Sequence, residues 1–211
     1  GSEVILTATP DAGHLFSGWR DRMVSTETPD TIVMTSDKVV TATFTPIPQY
    51  TLDIDTIGSG GVTLDPPGGI YFEGTEVILT ATPDAGHQFD GWSGGLSGSE
   101  NPDTIIVNSN LAITASFSEI FYTLDIDTVG FGGVTLSPSG NVFPEGTEVI
   151  LTAVPDAGHR FDDWSGDLVS TENPDTIVMN SDKTITANFS EIPPQYSLTI
   201  NTDGQGSVTL N

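Results

Sequence analysis

The chain has 211 residues, with 5 Lys plus Arg against 29 Asp plus Glu and a formal charge of −24. Such an excess of acid is repelled by the phosphate backbone, which sets nucleic acid aside as a partner. There is no cysteine, hence no disulfide staple, thiolate nucleophile or Cys-based metal site. No apolar window reaches the ~18 residues a membrane span needs, and no basic-then-apolar leader is visible.

In chain order, residues 1–49 are the later part of a unit that recurs. GSEVILTATPDAGH at 1–14 returns as GTEVILTATPDAGH at 74–87 and GTEVILTAVPDAGH at 146–159. Trp19, Trp92 and Trp164 lie 73 and 72 residues apart, so the period is a whole small module and the chain is a tandem array. A module of that size is marginal alone, and contacts with its neighbours should add to its stability.

Residues 50–121 form the first complete module. Tyr50, Leu52 and Ile54 alternate with Thr51, Asp53 and Asp55, the period of two that predicts a half-buried strand. Gly58, Gly60 and Gly61 turn the chain into Val62–Leu64, and Pro66 to Gly69 make a second turn ahead of a short strand. The β-branched run from Glu76 predicts a further strand, closed by Pro83, Asp84 and Gly86. The Gly-rich stretch HQFDGWSGGLSGSENPD reads as a loop with aromatic anchors. Thr104–Val107 and a last strand with Leu111, Ile113, Ala115 and Phe117 on one face follow. The Asp residues of the PDT and SDK stretches are expected to bond local backbone N–H groups. No segment holds a 3.6-residue period over ten or more residues. The expected fold is all-β, with five or six short strands per module, little or no helix, and modules of about 72 residues stacked end to end.

Residues 122–195 are a second complete module, and 196–211, YSLTINTDGQGSVTLN, match the opening strands YTLDIDTIGSGGVTLD at 50–65. The first segment lacks the strands that the last segment consists of. Two readings stand side by side: a window from a longer covalent array, or a protomer whose tail completes the head of the next molecule. In the second, Tyr196, Leu198, Ile200, Val208 and Leu210 form the inter-unit strand and fill the groove beside Val4, Leu6, Phe16 and Trp19. The junctions TPIPQ at 45–49 and EIPPQ at 191–195 are short and Pro-bearing, and SEIF at 118–121 is equally tight, which limits bending.

The motifs GHLFSGW at 13–19, GHQFDGW at 86–92 and GHRFDDW at 158–164, together with YTLDIDTVGFGGVTL, EGTEVILTAVPDAGH and TENPDTIVMNSDKTITANF, resemble the divergent members of the InlB B-repeat family over essentially the whole chain. The resemblance implies compact β-rich modules similar to a β-grasp, strung along large secreted or surface-attached prokaryotic proteins. Asp163 stands where the other copies have glycine, and a small loop adjustment is expected there.

His14, His87 and His159 occupy equivalent positions, but each module has one His and no companion base, nucleophile or second ligand. They are expected to serve, with Phe16, Trp19, Phe89, Trp92, Phe161 and Trp164, as structural anchors, so no catalytic or metal residue is assigned. Were the Trp rings exposed, they would offer platforms for sugar stacking. Asp53–Asp55 and Asp125–Asp127 are D-x-D pairs of the kind calcium uses, yet the twelfth position after Asp53 is Leu64 rather than the bidentate Glu. No cofactor is expected, with calcium at module junctions as the ion-binding alternative. Asn188-Phe189-Ser190 is a glycosylation sequon at a strand end. The expectation is a non-enzymatic, extracellular or cell-surface structural protein, a stalk or filament whose partners are other copies of itself head to tail. The alternative is a glycan-binding or adhesin module.

Overall fold

A computed structural model describes residues 1–209. Among them there is no helix, and the chain divides into two units, residues 1–119 and residues from 120 onward. In unit 1, β1 (Ser2–Leu6), β2 (His14–Asp21), β3 (Asp30–Met34) and β4 (Val40–Pro46) build a half-module. The complete module follows as β5 (Gln49–Ile57), β6 (Gly60–Asp65), β7 (Ile70–Phe72), β8 (Thr75–Pro83), β9 (His87–Gly94), β10 (Asp103–Val107) and β11 (Leu111–Glu119). Unit 2 repeats it as β12 (Phe121–Val129), β13 (Gly132–Ser137), β14 (Val142–Pro144), β15 (Glu148–Pro155), β16 (His159–Gly166), β17 (Asp175–Val178) and β18 (Lys183–Glu191).

Each complete module has two sheets around one core. In module 50–119 they are ordered β10-β8-β6 and β7-β5-β11-β9, and in unit 2 the orders β17-β15-β13 and β14-β12-β18-β16 are equivalent. The opening strand lies parallel to the closing one, with Leu52 opposite Leu111 and Ile54 opposite Ile113, while every other pairing is antiparallel. The alternation read from the sequence puts Leu52 inside and leaves Asp53 and Asp55 in solvent. On β11, Ile113, Ala115 and Phe117 are buried. Both sheets contribute to the core, which joins Leu52, Tyr71, Val77, Leu79, Trp92, Val107 and Phe117. In unit 2 it joins Leu124, Phe143, Val149, Leu151, Trp164, Met179 and Phe189.

Three expectations are corrected. A module has seven strands rather than five or six. The segment carrying the Trp is a strand, not a loop: β9 pairs with β11 from His87 to Gly94, with a register shift where Gly91 follows Phe89. That inserted residue breaks the strict alternation of His87, Phe89 and Trp92 and makes a β-strand look irregular in sequence. The tail, finally, forms no strand between 196 and 209, and Tyr196, Leu198, Ile200 and Val208 are exposed. It has neither of the two partners that hold β5 in place. Leu210 lies outside the described residues.

The half-module is the equivalent of β8 to β11 alone. Its sheets are the pairs β1-β3 and β2-β4, and its small core is Ala8, Trp19, Met23 and Ile32, with Leu6, Phe16, Met34, Val40 and Ala42 against it.

Candidate functional site

The aromatic motif of each repeat builds one plug. Bulging of the strand turns Phe89 and Trp92 toward the same core, ring centroids 4.9 Å apart, with Phe117 of the closing strand 5.7 Å from Phe89. Phe161, Trp164 and Phe189 repeat this at 4.9 and 6.0 Å, and Phe16, Trp19 and Phe44 at 5.2 and 5.8 Å. A buried indole needs an acceptor. Nε1 of Trp19, Trp92 and Trp164 donates to the carbonyl of Glu27, Glu100 and Glu172, at 2.9, 2.8 and 2.8 Å. All three indoles are at most 8% exposed, so none offers a face to a sugar. The glycan alternative loses the feature that carried it.

The histidines are not core residues. His14 is exposed, and His87 and His159 are half-buried; Nδ1 of each faces the carbonyl of the alanine two residues back at 3.2–3.4 Å. A hydrophilic ring at a strand's first residue can satisfy itself locally there and stay wet. Among the described residues no group of three His, Asp or Glu comes together as a metal site would require. Asp163 keeps the bulge seen in the other repeats, and its carboxylate accepts from Nδ2 of Asn188 at 2.6 Å, the residue that replaces Thr43 and Ser116. The adjustment is a side-chain pair rather than a changed loop, and it occupies the amide of the sequon.

Two polar devices escaped the sequence reading. The first brackets a strand: Asn173 Oδ1 accepts from the Ala153 N–H while its Nδ2 donates to the Ala153 carbonyl, both at 2.8 Å. Asn101 does the same for Ala81, and Thr28 serves Ala8 with one hydroxyl. Asn173→Ala strands both backbone groups of a buried residue and should cost unit 2 about 1–3 kcal/mol in chemical denaturation.

The second device ties the opening strand to the last turn. Asp103 and Asp175 do bond the next N–H, as expected of the PDT stretch. The SDK position instead reaches 59 residues back: Asp182 Oδ1 accepts from the N–H and Oγ1 of Thr123 at 2.7 and 2.9 Å, and Asn110 Oδ1 from the N–H of Thr51 at 2.9 Å. These two bonds hold the Asp182 carboxyl below its ordinary value. A depressed folded pKa gives stability that is present above the unfolded value, ~3.9, and is lost as pH falls through the folded one. Asp182→Asn copies module 50–119 and should move the acid-unfolding midpoint of unit 2 to lower pH, followed by circular dichroism. The sequence signal for this pair was its fixed place in the repeat: a Thr two residues into the first strand, Thr51 and Thr123, and an amide or acid just before the last, Asn110 and Asp182.

The junction inside unit 1 is bonded from both sides. The Ile47 N–H donates to the Gly13 carbonyl at 2.8 Å, and the Pro48 carbonyl accepts from the Glu73 N–H at 2.8 Å. Phe72 of the complete module lies over Gly13 of the half-module. Equivalent bonds, Glu145 N–H to Ile120 carbonyl and Ile192 N–H to Gly158 carbonyl, recur in unit 2.

Compared with known families, the chain is matched three times in tandem by the divergent InlB B-repeat domain, over residues 1–48, 50–121 and 122–193. No curated protein and no solved structure matches it.

Proposed function

The chain belongs to the divergent InlB B-repeat family, a structural repeat type found in surface and secreted proteins, and from that premise we propose that it is a semi-rigid stalk or filament segment that acts outside the cell through length and spacing, without catalysis. The observation that carries this reading is the junction at 46–49. Ile47 is bonded to the module behind and Pro48 to the module ahead, which leaves no free residue to act as a hinge. A flexible linker would have several.

The acidic surface supports the same reading. Its repulsion keeps parallel chains apart and discourages pairing between exposed strand edges, and the one ion pair among the described residues, Arg160 with Asp162 at 3.0 Å, neutralises little of it.

Small-angle scattering of the chain, and of versions lengthened by further copies of residues 50–121, tests the stalk. The maximum dimension should grow linearly with module number. Growth as the square root of module number, the behaviour of a flexibly linked chain, would overturn it.

A further inference from the structure

The two sheets of a complete module turn unlike faces to solvent. On the sheet β7-β5-β11-β9 the wet positions of the two central strands are Asp53, Asp55, Thr114 and Ser116, as a solvated strand face requires. On the sheet β10-β8-β6 they include Ile78 and Ile106, 39% and 59% exposed, and unit 2 repeats them as Ile150 and Val178, 44% and 45% exposed. Ile5 and Val33 stand at the same positions of β1 and β3 and are exposed too. None of these side chains belongs to a core. An aliphatic pair left wet in every repeat serves something other than folding.

Strand register outlines the patch. Ile78 lies between Asp65 of β6 and Thr104 of β10, and Ile106 lies beside Glu76, so the two aliphatics are diagonal neighbours about 7–8 Å apart with a carboxylate next to each. In unit 2, Ile150 lies between Ser137 and Thr176, and Val178 beside Glu148. No Lys or Arg occurs from residue 39 to residue 159, and Arg160 and Lys183 are on β16 and β18, the other sheet of unit 2. The face is apolar, edged with acid and without a cation of its own.

We propose that this face of each complete module is a docking surface for a basic amphipathic helix of another protein. Such a surface goes beyond the stalk reading, because it is something that length and spacing would display. Layer geometry selects a helix. Sheet faces are covered by helices or by other sheets, and three strands about 4.8 Å apart span about 10 Å, the width of one helix. Aliphatic residues of that helix at i, i+3 and i+4 would lie on Ile78 and Ile106, while Lys or Arg beside the stripe would reach Glu76 and Asp65. Charge selects the partner. The chain has no helix among the described residues and 5 cations against 29 acids, so a second copy offers neither the element nor the complement, whereas a cationic helix is drawn in.

The test titrates chain 1–211 with a synthetic peptide of Leu and Lys at helical spacing, about 16 residues or four turns long, followed by far-ultraviolet circular dichroism. Because the chain is all-β, a gain of helical signal reports the bound peptide. The expected result is a signal that saturates, and an Ile78→Thr/Ile106→Thr/Ile150→Thr/Val178→Thr variant that binds about tenfold or more weakly. Its thermal unfolding should be unchanged, since the positions are wet and Thr keeps the β-branch. Glu76→Gln/Glu148→Gln should weaken binding about threefold or more, whereas Asp53→Asn/Asp125→Asn, equal in charge but on the other sheet, should change it less than about twofold. A peptide of the same composition with Leu and Lys scrambled should bind about tenfold more weakly. No saturating signal, full affinity in the quadruple variant, equal binding of the scrambled peptide, or equal losses from the two charge pairs would each overturn the docking surface. Self-association of the chain, or binding to neutral phosphatidylcholine vesicles, either one abolished in the quadruple variant, would overturn the helix in favour of a second copy or a lipid surface. None of these outcomes touches the linear scaling of covalent length, which decides the stalk reading separately.

Discussion

Trp164→Ala should lower the stability of unit 2 by about 3–5 kcal/mol, the range for removing a large buried aromatic, and its thermal midpoint by more than ten degrees at about 4–8 °C per kcal/mol for a small domain. The ring is 1% exposed, and three losses coincide. The indole forfeits its tilted ring contact with Phe161, its Nε1 bond to the Glu172 carbonyl goes, and a void opens between two sheets that cannot close on it because β16 is bonded along β18. Trp164→Phe restores part of the volume but not the donor, so it should recover some of the loss and no more. Differential scanning calorimetry of the two variants checks both statements. A midpoint unchanged by Trp164→Ala would mean that the aromatic plug is not what holds the module.

Gly130→Ala should cost unit 2 about 2–4 kcal/mol although it adds one methyl group. At φ 88° an L side chain is strained by roughly 1–2 kcal/mol, and a Cβ there overlaps the backbone carbonyl oxygen of Phe189, which adds an overpacking cost of similar size. Backbone cannot rotate away as a side chain can. The parallel pair β12–β18 must therefore part at its far end, where Val129 faces Asn188. Gly133→Ala is the control: a Cβ there meets nothing within 4 Å, and the change should be near neutral. Urea unfolding of the two variants separates strain from simple loss of glycine.

Period-two alternation made the opening and closing strands of the module readable, because one face of each is buried and the other wet. Leu52 with Asp53, and Ile113 with Thr114, carry that pattern plainly. The Trp strand was hidden by its bulge, where one extra residue shifts the alternation by half a period. A glycine-rich composition then argued for a loop. The aromatic anchors were legible as large rings at repeat spacing, while the histidines beside them were read as anchors because each module has one His without a companion base or second ligand. An imidazole at a strand's first residue has a carbonyl two residues back within reach and no need of the core. The Asn brackets and the Asp182 latch join residues 20 and 59 apart, distances at which turn chemistry says nothing. The tail reads as strand in sequence because its pattern is that of β5, yet a strand also needs neighbours to bond to.

The parallel pairing of first and last strands determines how a module carries load. The chain enters at the start of β12 and leaves at the end of β18, and the six aligned pairs from Leu124–Lys183 to Val129–Asn188 lie between those two points. Tension applied through the ends acts along the strands, so it shears all of these backbone bonds at once instead of peeling them one by one from a free end. Forced rupture is governed by the unfolding barrier rather than by equilibrium stability, and a module of modest thermodynamic stability can therefore resist pulling far better than its size suggests.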